Sequence, residues 1–168
     1  VYEYYNSDQN GGARVKVIID EGKIITDIVI PREIEQNGKK YIVTKIGEDI
    51  LSIGGYGSGS VKGGITGLIM PDTITEIGNK AFYNQPIENI IFSSNLRKIG
   101  SRAFYNNELT SIQMPRSLVS IESEAFYTYF GKTITIVIIP KNVVTIGSNA
   151  FYNAEIYCEA TEKPEGWD

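Results

Sequence analysis

The stretch "IGSRAFYNNELTSIQMP" (99–115) decides how this chain reads. An Ala-Phe-Tyr triplet leads into two asparagines, then an apolar alternation, then a proline. Taken alone, that order matches no catalytic motif. Its meaning comes from recurrence: "IGNKAFYN" begins at Ile77, "IESEAFYT" at Ile121 and "IGSNAFYN" at Ile146. Self-similarity at a period of roughly 20–50 residues is the mark of a repeat architecture, in which each unit buries its apolar face only against its neighbours.

Working outward, the chain divides into "ITGLIMPDTITEIGNKAFYNQP" (65–86), "IENIIFSSNLRKIGSRAFYNNE" (87–108), "LTSIQMPRSLVSIESEAFYTYFGKT" (109–133) and "ITIVIIPKNVVTIGSNAFYNAE" (134–155). The lengths are 22, 22, 25 and 22 residues, and the three extra residues fall in "TYFGKT", where a loop absorbs them. An eroded copy precedes these. It runs from "ITDIVIP" (25–31) through a turn-like insertion, "EIEQNGKK", to "YIVTKIGEDILS" (41–52).

Each copy carries one apolar frame. Its first, fourth and sixth positions are Ile65/Leu68/Met70, Ile87/Ile90/Phe92, Leu109/Ile112/Met114 and Ile134/Val137/Ile139. That L-x-x-L-x-L spacing marks a leucine-rich repeat. Positions four and six, two apart, are the inward residues of a strand. The following proline ends it, because proline has no N–H for a ladder; Ser93 takes that place in one copy. A second apolar pair follows: Ile74/Ile77, Leu96/Ile99, Leu118/Ile121 and Val143/Ile146. Gly then permits a turn, with Glu122 as the exception. Ala81, Ala103, Ala125 and Ala150 let the backbone approach the core, and Phe82, Phe104, Phe126 and Phe151 are expected to stack as a spine. On this reading Ala-Phe is core and not chemistry.

These residues resemble the BspA-like leucine-rich repeat family, whose units read as a strand ending in Pro followed by "sv-x-x-I-G-x-x-A-F". The resemblance is strong over about 65–155, extends weakly back to about 25, and includes a closing segment, "IYCEATEKPEGWD", with its Pro-x-x-Trp. It implies a leucine-rich repeat solenoid of the α/β horseshoe class, mostly β, with parallel strands, short turns or single helical turns, and about five coils. It also implies a secreted or surface-anchored bacterial protein, some relatives being associated with adhesion, with no enzymatic activity and no cofactor. The family shares no binding motif, so it transfers no functional residue. This chain departs from the pattern at "SIGGYGSGSVKGG" (52–64), and in carrying Tyr-Asn where a Cys or small residue is usual after Ala-Phe.

The expected organisation is a single leucine-rich repeat domain over 1–168: a degenerate N-terminal unit with a Gly-rich loop (1–64), four clear repeats (65–155) and a C-terminal cap (156–168). Both ends are expected to be covered, because an open strand edge invites pairing with other chains. Trp167 is placed over the last coil.

Composition narrows the functions. Among 168 residues, 16 basic against 20 acidic side chains give a net charge of −4, unlike the basic stripe of a nucleic-acid binder. There is no histidine, which removes Ser-His and Cys-His nucleophile pairs from this chain. The single Cys158 allows no internal disulfide and reads as a small buried hydrophobe. No apolar run approaches the ~18 residues of a membrane span, so no direct membrane insertion is expected, and the first residues do not read as a signal peptide. The glycines of "GGYGSGSVKGG" lack the Gly-Lys-Ser/Thr closure of a phosphate loop and fit a linker. Carboxylates such as Asp27, Glu88, Glu122 and Glu124 form no evident facing pair for glycoside cleavage and read as surface charges. No metal-ligand spacing is present.

Two stripes remain as candidate sites. Positions three and five of each strand point outward and read Asp27, Gly67, Asn89, Ser111, Ile136 and Val29, Ile69, Ile91, Gln113, Ile138. Five strands at ~4.8 Å spacing make a stripe of roughly 20 Å. An exposed apolar patch there marks an interaction site, although β-branched residues also simply suit strands. The second stripe is Tyr83, Tyr105, Tyr127 and Tyr152, extended by Tyr129 and Phe130. It is either an interface, where Tyr is enriched, or a half-buried ladder sealing the solenoid, with Asn84, Asn106 and Asn153 bonding backbone in the turns. The functional expectation is a non-enzymatic module at the cell surface or outside the cell that binds a protein or glycan. A structural spacer within a larger surface protein and a carbohydrate-active enzyme are the alternatives.

Overall fold

A computed structural model describes residues 2–6, 13–17, 24–50, 64–129 and 133–168. The Gly-rich stretch up to residue 63 and Phe130 lie outside them. The first strands are β1 (Tyr2–Asn6), β2 (Ala13–Val17) and β3 (Ile24–Val29). The insertion in the eroded copy is a hairpin of β4 (Glu33–Gln36) and β5 (Lys39–Ile46). Asn37 and Gly38 turn it with φ of 53° and 73°, the pair of positive angles that a two-residue Asn-Gly hairpin requires.

From residue 64 onward each coil contributes a two-residue back strand and, except for the coil that begins at Leu109, a front strand. Front strands are β6 (Gly64–Ile69), β8 (Asn89–Ile91), β11 (Ile136–Ile139) and β13 (Glu155–Cys158). Back strands are β7 (Glu76–Ile77), β9 (Lys98–Ile99), β10 (Ser120–Ile121), β12 (Thr145–Ile146) and β14 (Gly166–Trp167). About four turns are complete. The back strands join in the order β1-β2-β5-β7-β9-β10-β12-β14. From β5 onward their parallel register aligns Ile46, Ile77, Ile99, Ile121, Ile146 and Trp167 in one column. That column is the second apolar position of the repeat, and its isoleucines are buried.

The front wall is not the continuous five-strand ladder that the spacing predicts. One parallel sheet is β3-β6-β8 and another is β11-β13, and the intervening segment 109–114 forms no strand. Its side chains still obey the repeat: Leu109 and Met114 are buried, Ser111 and Gln113 exposed. Beneath it, Phe92 fills an inward position held elsewhere by Met or Ile, and its ring meets Phe104 and Phe126 edge-on at 5.8 and 6.5 Å.

The third wall carries Ala-Phe-Tyr. The rings of Phe82, Phe104, Phe126 and Phe151 stack with centroids 5.2 Å apart at each step, and the alanines beside them are buried. No helical turn forms here. Lys80 and Asn84, Arg102 and Asn106, and Asn149 and Asn153 take positive φ on either side of Ala-Phe. This swings alternate N–H groups out of the local chain and onto the next coil. Phe82, Phe104 and Phe126 donate to the carbonyls of Ala103, Ala125 and Ala150 at 2.8 Å. A helical turn would instead spend those donors on its own carbonyls.

The glycine that follows each back strand is required by close stacking. A Cβ at Gly100 would lie 2.7 Å from the backbone carbon of Gly78, and one at Gly147 2.5 Å from the nitrogen of Ser123. Glu122, the exception in this column, turns its carboxylate over the preceding coil. There it accepts from Lys98 Nζ at 2.6 Å and from the Ser101 N–H at 3.2 Å. That hydrogen bond raises the Lys98 ammonium above its ordinary pKa.

Candidate functional site: the outward strand face

The front strands set the candidate face by alternation, since successive side chains point to opposite sides of a strand. Register places Val29, Ile69 and Ile91 side by side, because Ile28, Leu68 and Ile90 between them turn into the core. Val29, Ile91 and Ile138 are 59%, 60% and 58% exposed. Ile69 is half-buried and Gln113 exposed. In the neighbouring column the backbone aligns Asp27, Gly67 and Asn89. Gly67 is buried, whereas Asn89, Ser111 and Ile136 are exposed.

The two columns therefore hold two apolar fields. One is Val29, Ile69 and Ile91; the other is Ile136 and Ile138. The non-strand segment with Ser111 and Gln113 divides them. Register adds a residue that the repeat spacing missed. Tyr157 pairs with Ile138 across β11 and β13 and is exposed. It stands 19 residues after Ile138, off the 22-residue period, and the alternation in "EIYC" is its only local signal.

The tyrosine stripe is arranged differently. Tyr83, Tyr105, Tyr127 and Tyr152 follow one another at 5.0, 5.2 and 4.7 Å, the first two steps being near-parallel stacks. Tyr83, Tyr105 and Tyr127 are half-buried and Tyr152 is exposed. Burial, and then the neighbouring tyrosines, push the Tyr105 and Tyr127 phenols up from their ordinary value. Arg102 lies 5.9 Å over the Tyr105 ring and grips Glu124 through Nε at 2.7 Å and a second nitrogen at 3.3 Å. The asparagines beside the stripe bond partly to each other: Asn106 Nδ2 donates to Asn84 Oδ1 at 3.2 Å, and Asn106 Oδ1 accepts from the Tyr129 N–H at 2.8 Å. Glu122 and Glu124, read from sequence as surface charges, are each held by a cation of the preceding coil.

Two further residues depart from expectation or sharpen it. Cys158 is exposed rather than buried, because among the described residues β13 is paired with β11 alone. Trp167 is half-buried against the core and donates from Nε1 to the Val143 carbonyl at 3.1 Å. Among the described residues, no group of three or more Asp, Glu, Cys or His is placed to hold a metal ion, and no helix is long and apolar enough to cross a membrane.

Parallel front and back ladders joined by a stacked Ala-Phe wall define a leucine-rich repeat solenoid. The chain belongs to the BspA type leucine-rich repeat family, which it matches over residues 60–160 in 6 copies. Among solved structures it is similar to a leucine-rich repeat protein from Bacteroides ovatus, with a TM-score of 0.72 and 27% identity over 94% of this chain and 39% of that one. It is also similar in fold to the pneumococcal vaccine antigen PcpA, with a TM-score of 0.67 and 22% identity over 98% of this chain and 49% of that one. A leucine-rich repeat protein from Bacteroides capillosus aligns with a TM-score of 0.53 and 23% identity, covering 94% of both chains. The chain thus spans less than half of the first two. No curated protein sequence matches it.

Proposed function

We propose that this chain is a non-enzymatic interaction module of a secreted or surface-displayed bacterial protein, and that it binds a host or neighbouring-cell protein through its outward strand face. The observation that carries this reading is the pair of aliphatic fields on parallel strands, Val29, Ile69 and Ile91 in one and Ile136 and Ile138 in the other. Val29, Ile91 and Ile138 each keep more than half of their surface in water, and contiguous apolar exposure is what an interface core supplies. A protein partner fits better than a glycan. Sugars stack on open aromatic faces, whereas this face is aliphatic apart from Tyr157 and the tyrosines of the stripe stack on one another.

The test is binding of the purified chain to immobilised extracellular-matrix proteins, with a glycan array alongside, at physiological salt. A saturable protein hit weakened by the triple change Ile69→Ser, Ile91→Ser and Ile138→Ser supports the reading. Binding that survives the change in a folded variant removes this face from consideration. A blank in both screens favours the spacer reading, which the greater length of the first two structural relatives supports.

A further inference from the structure

The apolar projections of the outward face are spaced in steps of two coils. Val29, Ile91 and Ile138 hold the fifth position of alternate coils and are each more than half exposed. Between them stand the half-buried Ile69 and the polar Gln113. Strand pairing aligns Val29 with Ile69 and Ile69 with Ile91. The back strands keep register across the next two coils, from Ile99 to Ile121 to Ile146, so Ile138 stands two coils beyond Ile91. At the usual strand spacing, these projections recur every ~9.6 Å.

The interval between Ile91 and Ile138 is polar and outside any ladder. Ser111 and Gln113 are exposed, and their side chains have no hydrogen-bond partner among the described residues. The N–H groups of residues 110–113 donate to no backbone carbonyl there. Arg116, on the rim of this coil, and Lys141, at the same place in the next, are exposed and have no ion-pair partner among the described residues. Asn142 Nδ2 donates to the Arg116 carbonyl at 2.8 Å and holds these two turns side by side. Glu159 accepts from the Lys141 N–H at 3.4 Å but forms no ion pair with its ammonium. The rim of the interval is therefore positive and unpaired. A fitting ligand carries apolar groups ~9.6 Å apart, with acceptors between them. An extended β segment repeats one face every ~6.6–6.8 Å and falls out of step at once. An α-helix returns every ~5.4 Å, setting a side chain on Gln113, and spends its carbonyls on itself. Polyproline II repeats every three residues, ~9.3 Å, and has no internal hydrogen bonds, so its carbonyls are free to accept.

We propose that the occupant of the outward face is a proline-rich segment in the polyproline II conformation, lying across the strands. It carries an apolar residue at every third position and a carboxylate between the second and third of them. The inference rests on the reading of this face as a binding surface and adds the partner's conformation and pattern. Its apolar residues cover Val29, Ile91 and Ile138. Seven residues of polyproline II span ~18.6 Å, against ~19 Å for the four coils from Val29 to Ile138. Its carbonyls accept from Ser111, Gln113 and the free N–H groups, and its carboxylate meets Arg116 and Lys141, a charge-assisted contact. The preformed conformation keeps the ordering cost of such a segment low.

The test titrates fluorescein-labelled Leu-Pro-Pro-Leu-Pro-Glu-Leu-Pro-Pro against the whole chain, read by anisotropy. One control reorders the same residues so that leucine falls at alternate positions, one replaces Glu by Lys, and one is an alanine-based helical peptide with leucine every three or four residues. Saturable binding of the first peptide is expected, with each control at least about tenfold weaker. The change Ile91→Ser with Ile138→Ser should also weaken it about tenfold. Gln113→Ala and Arg116→Ala, both on exposed side chains, should each weaken it several-fold in a chain that stays folded. Equal binding of the reordered peptide, or tighter binding of the helical one, would overturn the proposal. So would absence of peptide binding to folded chain, or sedimentation showing a dimer that the first peptide does not dissociate. A matrix protein that binds through this face and is not displaced by the first peptide overturns the polyproline II occupant and leaves the binding face standing. Capture of neither protein nor peptide takes down both.

Discussion

Along the Ala-Phe-Tyr wall every ring lies against the ring of the next coil, at 5.2 Å for the phenylalanines and about the same for the tyrosines. Along the outward strand face the repeated side chains are also apolar, yet Val29, Ile91 and Ile138 extend past their neighbours into water. Both walls come from one repeat with one translation between coils. Flat rings can be saturated by that translation, because stacking distance and coil spacing nearly coincide. Branched aliphatic side chains standing off a strand touch their neighbours only at their flanks. The aromatic wall therefore uses its apolar surface to hold the coils together, while the strand face keeps its own available to a partner.

The largest expected effect breaks the closed wall. Phe104→Ala removes a ring packed between Phe82 and Phe126 with Phe92 at its edge, and should cost about 3–5 kcal/mol in chemical denaturation. A loss below about 1 kcal/mol would mean that the spine does not hold the coils. Next is Tyr105→Leu, which keeps apolar bulk but removes two ring contacts. Each aromatic pair contributes about 0.5–1.5 kcal/mol beyond burial, so a loss near the sum of two is expected.

A pH titration sharpens the same wall. Tyr105 and Tyr127 are raised above the ordinary phenol value of 10.0, chiefly by burial. In that case the unfolded chain gives up its phenol protons first. The contribution is complete below about pH 10 and is lost as pH rises through the folded values. Stability should therefore fall in that window, and less steeply in Tyr105→Phe with Tyr127→Phe; an unchanged slope would trace it to other groups. The smallest effect on stability is expected on the open wall. Ile91→Thr with Ile138→Thr should stay within about 0.5 kcal/mol per site while weakening a partner that uses this face. A large destabilisation would show that these side chains belong to the core after all.

Much of this was legible in the residues. The alternation of Ile87/Ile90/Phe92 and its counterparts assigned inward and outward positions on each front strand, and the Ala-Phe pairs marked the spine. The candidate columns followed from that alternation, since it is a property of the local backbone. What escaped was set between coils. The back sheet was hidden in dipeptides too short to show a strand period. The break at 109–114 is a matter of backbone pairing between coils, since Leu109, Ser111, Gln113 and Met114 keep the alternation of the repeat. Tyr157 joins its column by register with β11 and not by the repeat spacing. Cys158 has the residue type of a buried position, and its exposure depends on what stacks above it.

By itself the sequence determined that this chain is a solenoid, where its coils begin and which side chains face its core. Those properties rest on local periodicity, which a run of residues carries within itself. Only the tertiary structure decided that the Ala-Phe turns bond sideways to the next coil, that the front ladder divides in two, and that Tyr157 joins the outward column. These depend on how closely neighbouring coils approach and on which surfaces remain uncovered, and no single coil contains that information.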